Sequence, residues 1–417
     1  MNISLRNGQY VSSDGTRKSF ETIEIQDGVI QGIDARLPSS KTIDCENRLV
    51  VPTLTDLNVT IPQTNVQSLK TELNAAAAGG VGRMCISPQT SPVNDTPAIT
   101  KLIERNARAA QSSELIILGA MTKGLDGSQL SEYAELTDAG CSGLSNAYHT
   151  LESLAITKHC LDYAHTFNIP IFIHPMEPSL YIGCMHSGAA STFMGLKGIP
   201  EIAETVAIAQ LCTLAEASGV HLHFSQVSCS DSVALIRDAK QRGLRVTADV
   251  AIANLFYTDA AIDGFNSTFH TLPPLRGESD RLDLLKGVQD GTIDAVCSGH
   301  TPCSIANKKA PFAESAIGMS TIEHIYHYAL MLDRANELPL ERFIDVMNKG
   351  ASWVIGRPAR VIAEGEKANL SVVNLEHERV LSRDEIISSG VNTPLYQENT
   401  LGRVEHTFVN GALVFSA

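Results

Sequence analysis

Positive charge is in short supply in this chain. Against 46 Asp and Glu stand 32 Lys and Arg, a formal net charge of −14 with a pI near 5.4. No polybasic run relieves it. The long-range field therefore repels phosphate, which argues against nucleic acid or an anionic membrane as partner. Long apolar runs are missing as well. No stretch reaches the ~20 residues needed to span a bilayer, and the start, Met1-Asn2-Ile3-Ser4-Leu5-Arg6, has no apolar segment of a secretory signal. Nine cysteines, an odd number scattered without such a signal, read as reduced thiols in a cytoplasm and not as a disulfide framework.

What remains is an ordinary globular composition: 43% apolar and 19% charged over 417 residues, long enough for a barrel with an appendage. Thr22-Ile23-Glu24-Ile25-Gln26-Asp27-Gly28-Val29-Ile30 is two alternating runs about an Asp-Gly turn. The same texture returns in Asn369 to Val373 and in Thr407 to Phe415, where Asn410-Gly411 is the hairpin signal. The two ends are expected to pair into one small β domain, residues 1–50 with 360–417. Between them, over 51–359, short apolar runs (115–120, 170–174, 220–224, 294–298) alternate with helical stretches such as Glu201 to Ser218 and Asp231 to Arg242, the latter closed by Gly243. Repeated strand–helix units favour an α/β fold of the (β/α)8 barrel type over an open sheet.

Motifs in order along the chain resemble the dihydroorotase family of cyclic amidohydrolases. Val51-Pro52-Thr53-Leu54-Thr55-Asp56-Leu57 is similar to its Pro-Gly-x-x-Asp-x entry into the first barrel strand. Ala75 to Ala78 followed by Gly79-Gly80-Val81 resembles its Ala-rich helix and Gly-Gly turn. Ser87-Pro88-Gln89-Thr90-Ser91-Pro92 is similar to Met-Pro-Asn-Thr-x-Pro, and Leu272-Pro273-Pro274-Leu275-Arg276 to Asn-Pro-Pro-Leu-Arg. Asp290 to Asp294, Pro311 to Gly318, Asn392-Thr393-Pro394 and the final Asn410-Gly411 also fit.

The resemblance implies a functional pattern that the residues then break. Asn58 and Thr60 stand where the family carries the two histidines of Asp-x-His-x-His. Alternate strand residues share a face, so such a pair would converge on one metal ion. Pro62 replaces the arginine that grips the substrate carboxylate. Ser145-Asn146-Ala147 stands where a bridging carboxylate is expected, with Asn146 at the position itself. Gln226 occupies a metal-histidine position, and Gly299 replaces the aspartate that serves as ligand and general base. Asn369 replaces a second aspartate, in the C-terminal signature. Gln89 and Leu272 replace substrate-contacting asparagines. His174 and His300 are retained from the family site.

A catalytic metal lowers the pKa of bound water from ~15.7 to about 7, roughly 12 kcal/mol of proton affinity. One or two imidazoles without carboxylates do not hold such an ion tightly, so no metal, no cofactor and no dihydroorotase activity are expected. The resemblance implies instead a noncatalytic subunit of aspartate carbamoyltransferase, a homodimer within a six-plus-six assembly in pyrimidine biosynthesis. The alternative is an amidohydrolase with an altered, metal-poor site acting on a cyclic amide, using His174, His300, Glu177 and Asp249. A pocket kept as a sensor of dihydroorotate or carbamoyl aspartate is a third reading, disfavoured by Pro62. Cys303 near His300 and the Cys184/His186 pair have loop packing as their ordinary role. Arg83, at the start of a buried strand, is either a barrel-end charge pair or an interface anchor.

Overall fold

The computed structural model describes residues 2–35, 37–38 and 41–417. Met1, Arg36, Ser39 and Ser40, all within the segment assigned to the small β domain, lie outside the described residues. In chain order β1 (Ile3–Val11), β2 (Arg17–Gln26), β3 (Val29–Ile33), β4 (Lys41–Asp44) and β5 (Leu49–Pro52) precede the barrel. The barrel strands are β6 (Leu54–Val59), β7 (Val81–Ile86), β8 (Glu114–Ala120), β9 (Gly143–Ser145) and β10 (Ile171–Ile173). After a short parallel pair, β11 (Met185–His186) and β12 (Gly198–Ile199), come β13 (Leu222–Phe224), β14 (Val246–Ala251) and β15 (Ala295–Cys297). The chain closes with β16 (Leu370–Val380), β17 (Asn399–Val409) and β18 (Ala412–Ser416).

The two chain ends form one sheet, in the order β18-β17-β16-β5-β1-β2-β3 with β4 beside β1. Both hairpins form at the expected dipeptides. Asp27 and Gly28 take φ of 49° and 81°, and Asn410 and Gly411 take 50° and 86°. Positive φ at both turn residues matches the right-handed twist of the flanking strands. The turns meet: a Cβ on Gly28 would lie 3.0 Å from the Gly411 Cα, so neither glycine has room for a side chain. The N-terminal part of this sheet runs on to Pro52, because β5 pairs with β16 before the chain enters the barrel.

Eight parallel strands follow in the order β6 to β10, then β13 to β15, a (β/α)8 barrel with the separate terminal sheet attached. Val59 bridges His300 across the seam, and the Thr60 N–H donates to the His300 carbonyl at 2.9 Å. Helices Leu154–Thr166, Ile202–Ser218, Ser230–Gln241 and Glu278–Asp290 belong to the outer ring. Gly219 and Gly291 end two of them in the left-handed conformation. Inside, Leu57, Cys85, Ile116, Leu118, Phe172 and Ala295 pack together, with Val354 and Ile355 in the same cluster. The nine cysteines are all free thiols, and no helix among the described residues is long and apolar enough to cross a membrane.

Arg83 proves to be a barrel-end charge. Its Nε lies 3.2 Å from Glu114, which also takes the Arg360 guanidinium at 2.9 Å, while Arg360 donates to Thr53. Burial and the neighbouring Arg83 charge lower the Arg360 pKa to about 10.

His300 holds the opposite end together. The Thr321 N–H donates to its Nδ1 at 3.1 Å, so Nε2 carries the proton and donates to Glu72 at 3.1 Å. Glu72 belongs to the helix Val66–Ala78 and also accepts from the Ser388 and Ser389 hydroxyls and the Ser389 N–H. Burial acts to raise the Glu72 carboxyl, but these donors outweigh it and hold the pKa at about 2. Through Ser388 and Ser389 the segment before β17 is drawn down to the barrel. Asn392 continues the contact by donating to the Thr301 and Gly318 carbonyls and accepting from the Cys303 N–H.

Glu72→Ala leaves the His300 N–H and the Ser388 hydroxyl buried without their carboxylate acceptor. The expected cost is about 3 kcal/mol, by analogy with breaking one side of a buried pair. A urea-unfolding midpoint measures it, and Glu72→Gln, which keeps an acceptor, should lose clearly less.

Candidate functional site

The C-terminal ends of the parallel strands form the mouth, where side chains from several strands converge. Thr60, Gln89, Gln226, Leu272 and Gly299 are brought together around one cavity of about 210 Å³, walled by Tyr148, Ala251, Asn254 and Met319. Beneath it, Asn58, Leu57, Ser145, Tyr148, His174 and Ser225 enclose a second space of only about 20 Å³. That is room for roughly a single water. Asn146 faces a flanking pocket of about 310 Å³ that it shares with His174 and Glu177. Pro62 is exposed at the rim and lines neither mouth cavity; its carbonyl accepts from the Ser91 N–H.

Three residues fill the centre and depend on one another. Gln226 sits just past β13 in a left-handed conformation, φ 56°, which turns its side chain across the mouth. Its Oε1 accepts from the Tyr148 hydroxyl at 2.5 Å. Gly299, at φ 63°, lies beneath the same carboxamide: a Cβ there would stand 2.9 Å from Gln226 Nε2 and 3.2 Å from Ala251 Cβ. An aspartate at 299 is thus disfavoured by the left-handed backbone and by the Gln226 carboxamide, whose end would have to shift. Asn146 is likewise committed, accepting from Thr122 at 2.8 Å and donating to the His149 carbonyl at 3.0 Å.

His174 directly follows β10 and lies between two aromatic rings, Tyr148 at 5.0 Å and Tyr181 at 6.1 Å. The Ser225 carbonyl, 3.2 Å from Nδ1, can only accept, so Nδ1 carries the proton. Nε2 is left with a free lone pair and no partner among the described residues. Burial lowers the pKa of the ring, against the pull of Glu204 and the Ser225 hydrogen bond, which favours a neutral imidazole.

His300, grouped with His174 by sequence, lines none of these cavities; its ring is spent on Glu72 and Thr321. The His300/Cys303 spacing brings no shared ligand site, because the ring points to Glu72. Asp249 is not a rim acid either. It is fully enclosed, with Oδ2 at 3.0 Å from His223 Nε2 and Oδ1 accepting from the Gln226 N–H at 2.7 Å. Glu177 is half-buried and accepts from the Ser179 hydroxyl at 2.7 Å. Cys184 is tied to the Lys197 carbonyl and not to His186. Asn369 holds the final hairpin by accepting from the Asn410 N–H at 2.8 Å.

The donor set does not fit a catalytic metal. Three protein ligands of imidazole, thiolate or carboxylate type are the minimum for such a zinc site. Around the small space beside His174 the other side chains are amide, hydroxyl, phenol and apolar groups. Among the described residues the one metal-like triple is His186, Glu201 and Asp280, on a different part of the molecule. There the buried Arg276 guanidinium faces His186 Nδ1 at 3.4 Å, which opposes a cation.

Two residues invisible to sequence reasoning matter most here. Tyr148 carries no motif, and its partner Gln226 lies 78 positions away. Asp56, read only as part of a strand signature, is fully buried. Its Oδ1 accepts from the Ser298 and Asn58 N–H groups, and its Oδ2 has no partner among the described residues. Burial raises its pKa to about 6 despite those hydrogen bonds.

A Dihydro-orotase-like family model matches residues 47–232. The chain is 35% identical over 420 residues to a dihydroorotase-like protein of Pseudomonas aeruginosa, with 99% of each chain covered. It is also 35% identical over 421 residues to a dihydroorotase of Anaeromyxobacter dehalogenans, covering 98% of this chain and 97% of the other. In structure it resembles an L-hydantoinase (dihydropyrimidinase) from Arthrobacter aurescens, with a TM-score of 0.85 at 20% identity over 99% of this chain and 96% of that one. At that identity the likeness speaks for the fold alone.

Two measurements follow from this geometry. Gly299→Asp should cost about 2 kcal/mol in stability, since it combines a left-handed non-glycine residue with a close contact. Gln226→Ala in the same chain should recover part of that loss in thermal unfolding. For Asp56, the folded chain keeps a proton between pH 4 and 6 that the unfolded chain has released. Stability therefore falls as pH rises through that window, by up to about 3 kcal/mol from this group. In Asp56→Asn that component should vanish from a series of urea curves across pH.

Proposed function

This chain belongs to the dihydroorotase-like family, and from that premise we propose that it is a noncatalytic, cytoplasmic subunit supporting the assembly and activity of aspartate carbamoyltransferase in pyrimidine biosynthesis. The observation that carries the reading is the mutual filling of the mouth by Tyr148, Gln226 and Gly299. The Tyr148–Gln226 hydrogen bond runs across the centre, and the Gln226 carboxamide stands against the place where a catalytic aspartate side chain would leave position 299. Dihydroorotase chemistry needs an activated water and a base to take its proton. Here the base with an unengaged lone pair is His174 Nε2, and its ring borders a space of about 20 Å³ that no carboxylate lines and the flanking pocket of about 310 Å³ that Glu177 shares.

A barrel of this size without chemistry at its mouth acts through its outer surface. As a subunit it would hold the catalytic trimers of the transferase in a competent arrangement, as a homodimer within a six-plus-six particle, contributing a coupling free energy. A second reading, an amidohydrolase acting on a cyclic amide through an altered site, draws on the free lone pair of His174 alone. It requires either a stoichiometric, tightly held metal lost in His174→Ala or a hydrolytic activity that depends on His174.

The deciding experiment mixes the purified chain with the aspartate carbamoyltransferase of the same organism. Molar mass by light scattering and carbamoyl transfer are followed in the same samples. One large complex with activity gained on mixing is expected. Two separate species with unchanged transfer would overturn the proposal.

A further inference from the structure

The barrel end opposite the mouth carries a depression of about 530 Å³, bordered by residues that lead into β9, β10, β13 and β14 and by the turn after the helix Ala351–Val354. We propose that this depression binds a flat aromatic monoanion, its ring stacked on Trp353 and its carboxylate paired with Arg245. The inference is independent of the subunit role above.

Trp353 is the sole tryptophan of the chain, yet 61% of it is exposed. Its indole stands 6.1 Å from the His221 ring at a 49° tilt, which braces it from one side. An indole held in this way loses little conformational freedom when a second ring stacks on it, and aromatic pairs gain about 0.5–1.5 kcal/mol beyond area burial. Leu244, Val354 and Ile355 supply an apolar lining. The volume lies in the range of small-molecule sites, roughly 300–1,000 Å³, and the mixture of apolar wall with few polar groups is typical of them.

The charge of the ligand follows from the same lining. Arg245 is the one charged residue there, it is exposed, and among the described residues its guanidinium has no carboxylate partner. His221 adds no second charge. Burial, with His223 and Arg245 nearby, lowers its pKa to about 4, and its Nε2 lies 3.3 Å from the Thr247 hydroxyl. One fixed cation beside a flat apolar wall suits a single carboxylate on an aromatic ring, since guanidinium pairs with carboxylate in a planar fork. The chain's net negative charge does not prevent this, because charges beyond about 8 Å are largely screened at physiological ionic strength.

The test titrates the full chain with naphthalene-2-carboxylate and with its neutral isostere naphthalene-2-carboxamide. Calorimetry gives the affinity, and Trp353 emission reports from the site itself. Saturable carboxylate binding with a dissociation constant below about 1 mM is expected, with the carboxamide about 10-fold weaker. Arg245→Gln should erase that preference, and Trp353→Ala should weaken both probes while Trp353→Phe retains most of the binding. Equal affinity of the two probes, unchanged binding in Arg245→Gln, or no saturable signal would overturn the proposal. So would a Trp353 emission shift caused by aspartate carbamoyltransferase in a chain that takes neither probe, which would make this face a protein contact.

Discussion

The buried pair of His300 with Glu72 joins three parts of the chain that lie far apart in sequence. Glu72 is on the first barrel helix, His300 follows the last barrel strand, and Ser388 and Ser389 belong to the excursion between β16 and β17. The His300 backbone accepts from Thr60 and so also closes the barrel seam. A carboxylate inside a protein is tolerated only when its lone pairs are used, and Glu72 accepts four hydrogen bonds from three residues. The His300 side chain is therefore committed to closure of the fold.

That separation leaves the residues of the mouth free to vary without loss of the barrel. The groups that hold the strand ends, Glu72 with His300 and His223 with Asp249, sit below or behind the mouth and are complete among themselves. At the mouth the positions Asn58, Thr60, Asn146 and Gln226 are all neutral. A site stripped of its metal but not of its ligand carboxylates would leave unpaired buried charge, which costs several kcal/mol. Neutral amides and hydroxyls avoid this, and Tyr148 and Gln226 join by a hydrogen bond between side chains. Asp56 is the remaining misfit, a carboxyl with one unpartnered oxygen that burial favours in its protonated form through much of the acid range.

Local patterns were legible in the chain and long-range pairings were not. Alternation and Asp-Gly or Asn-Gly turns are written within a few residues, so the terminal hairpins at 27–28 and 410–411 and the helix Ser230–Gln241 emerge close to where they are expected. Motif order placed Thr60, Gln89, Gln226, Leu272 and Gly299, and they do share one cavity. What a neighbouring strand contributes is another matter. Asp249 reads as a strand-end acid until His223, on the adjacent strand, is seen to enclose it. His300 reads as a site histidine until Glu72, 228 residues earlier, turns its ring away. Arg83 admitted two roles by sequence, and Glu114 with Arg360 decides between them.

The electrostatic economy of the two barrel ends then differs in kind. At the mouth the carboxamides of Gln226 and Asn146 are engaged inside the chain, by Tyr148 and by Thr122 with His149, while the Thr60 hydroxyl and His174 Nε2 have no partner among the described residues. At the opposite end the Trp353 indole is largely in the open with the His221 ring on one side, and the Arg245 guanidinium has no carboxylate partner among the described residues. Folding alone gives no reason to expose a tryptophan, whose burial is worth more than that of almost any other side chain. An exposed indole beside an unpaired guanidinium is binding capacity that folding leaves unspent, and it lies on the outside of the barrel, away from the mouth.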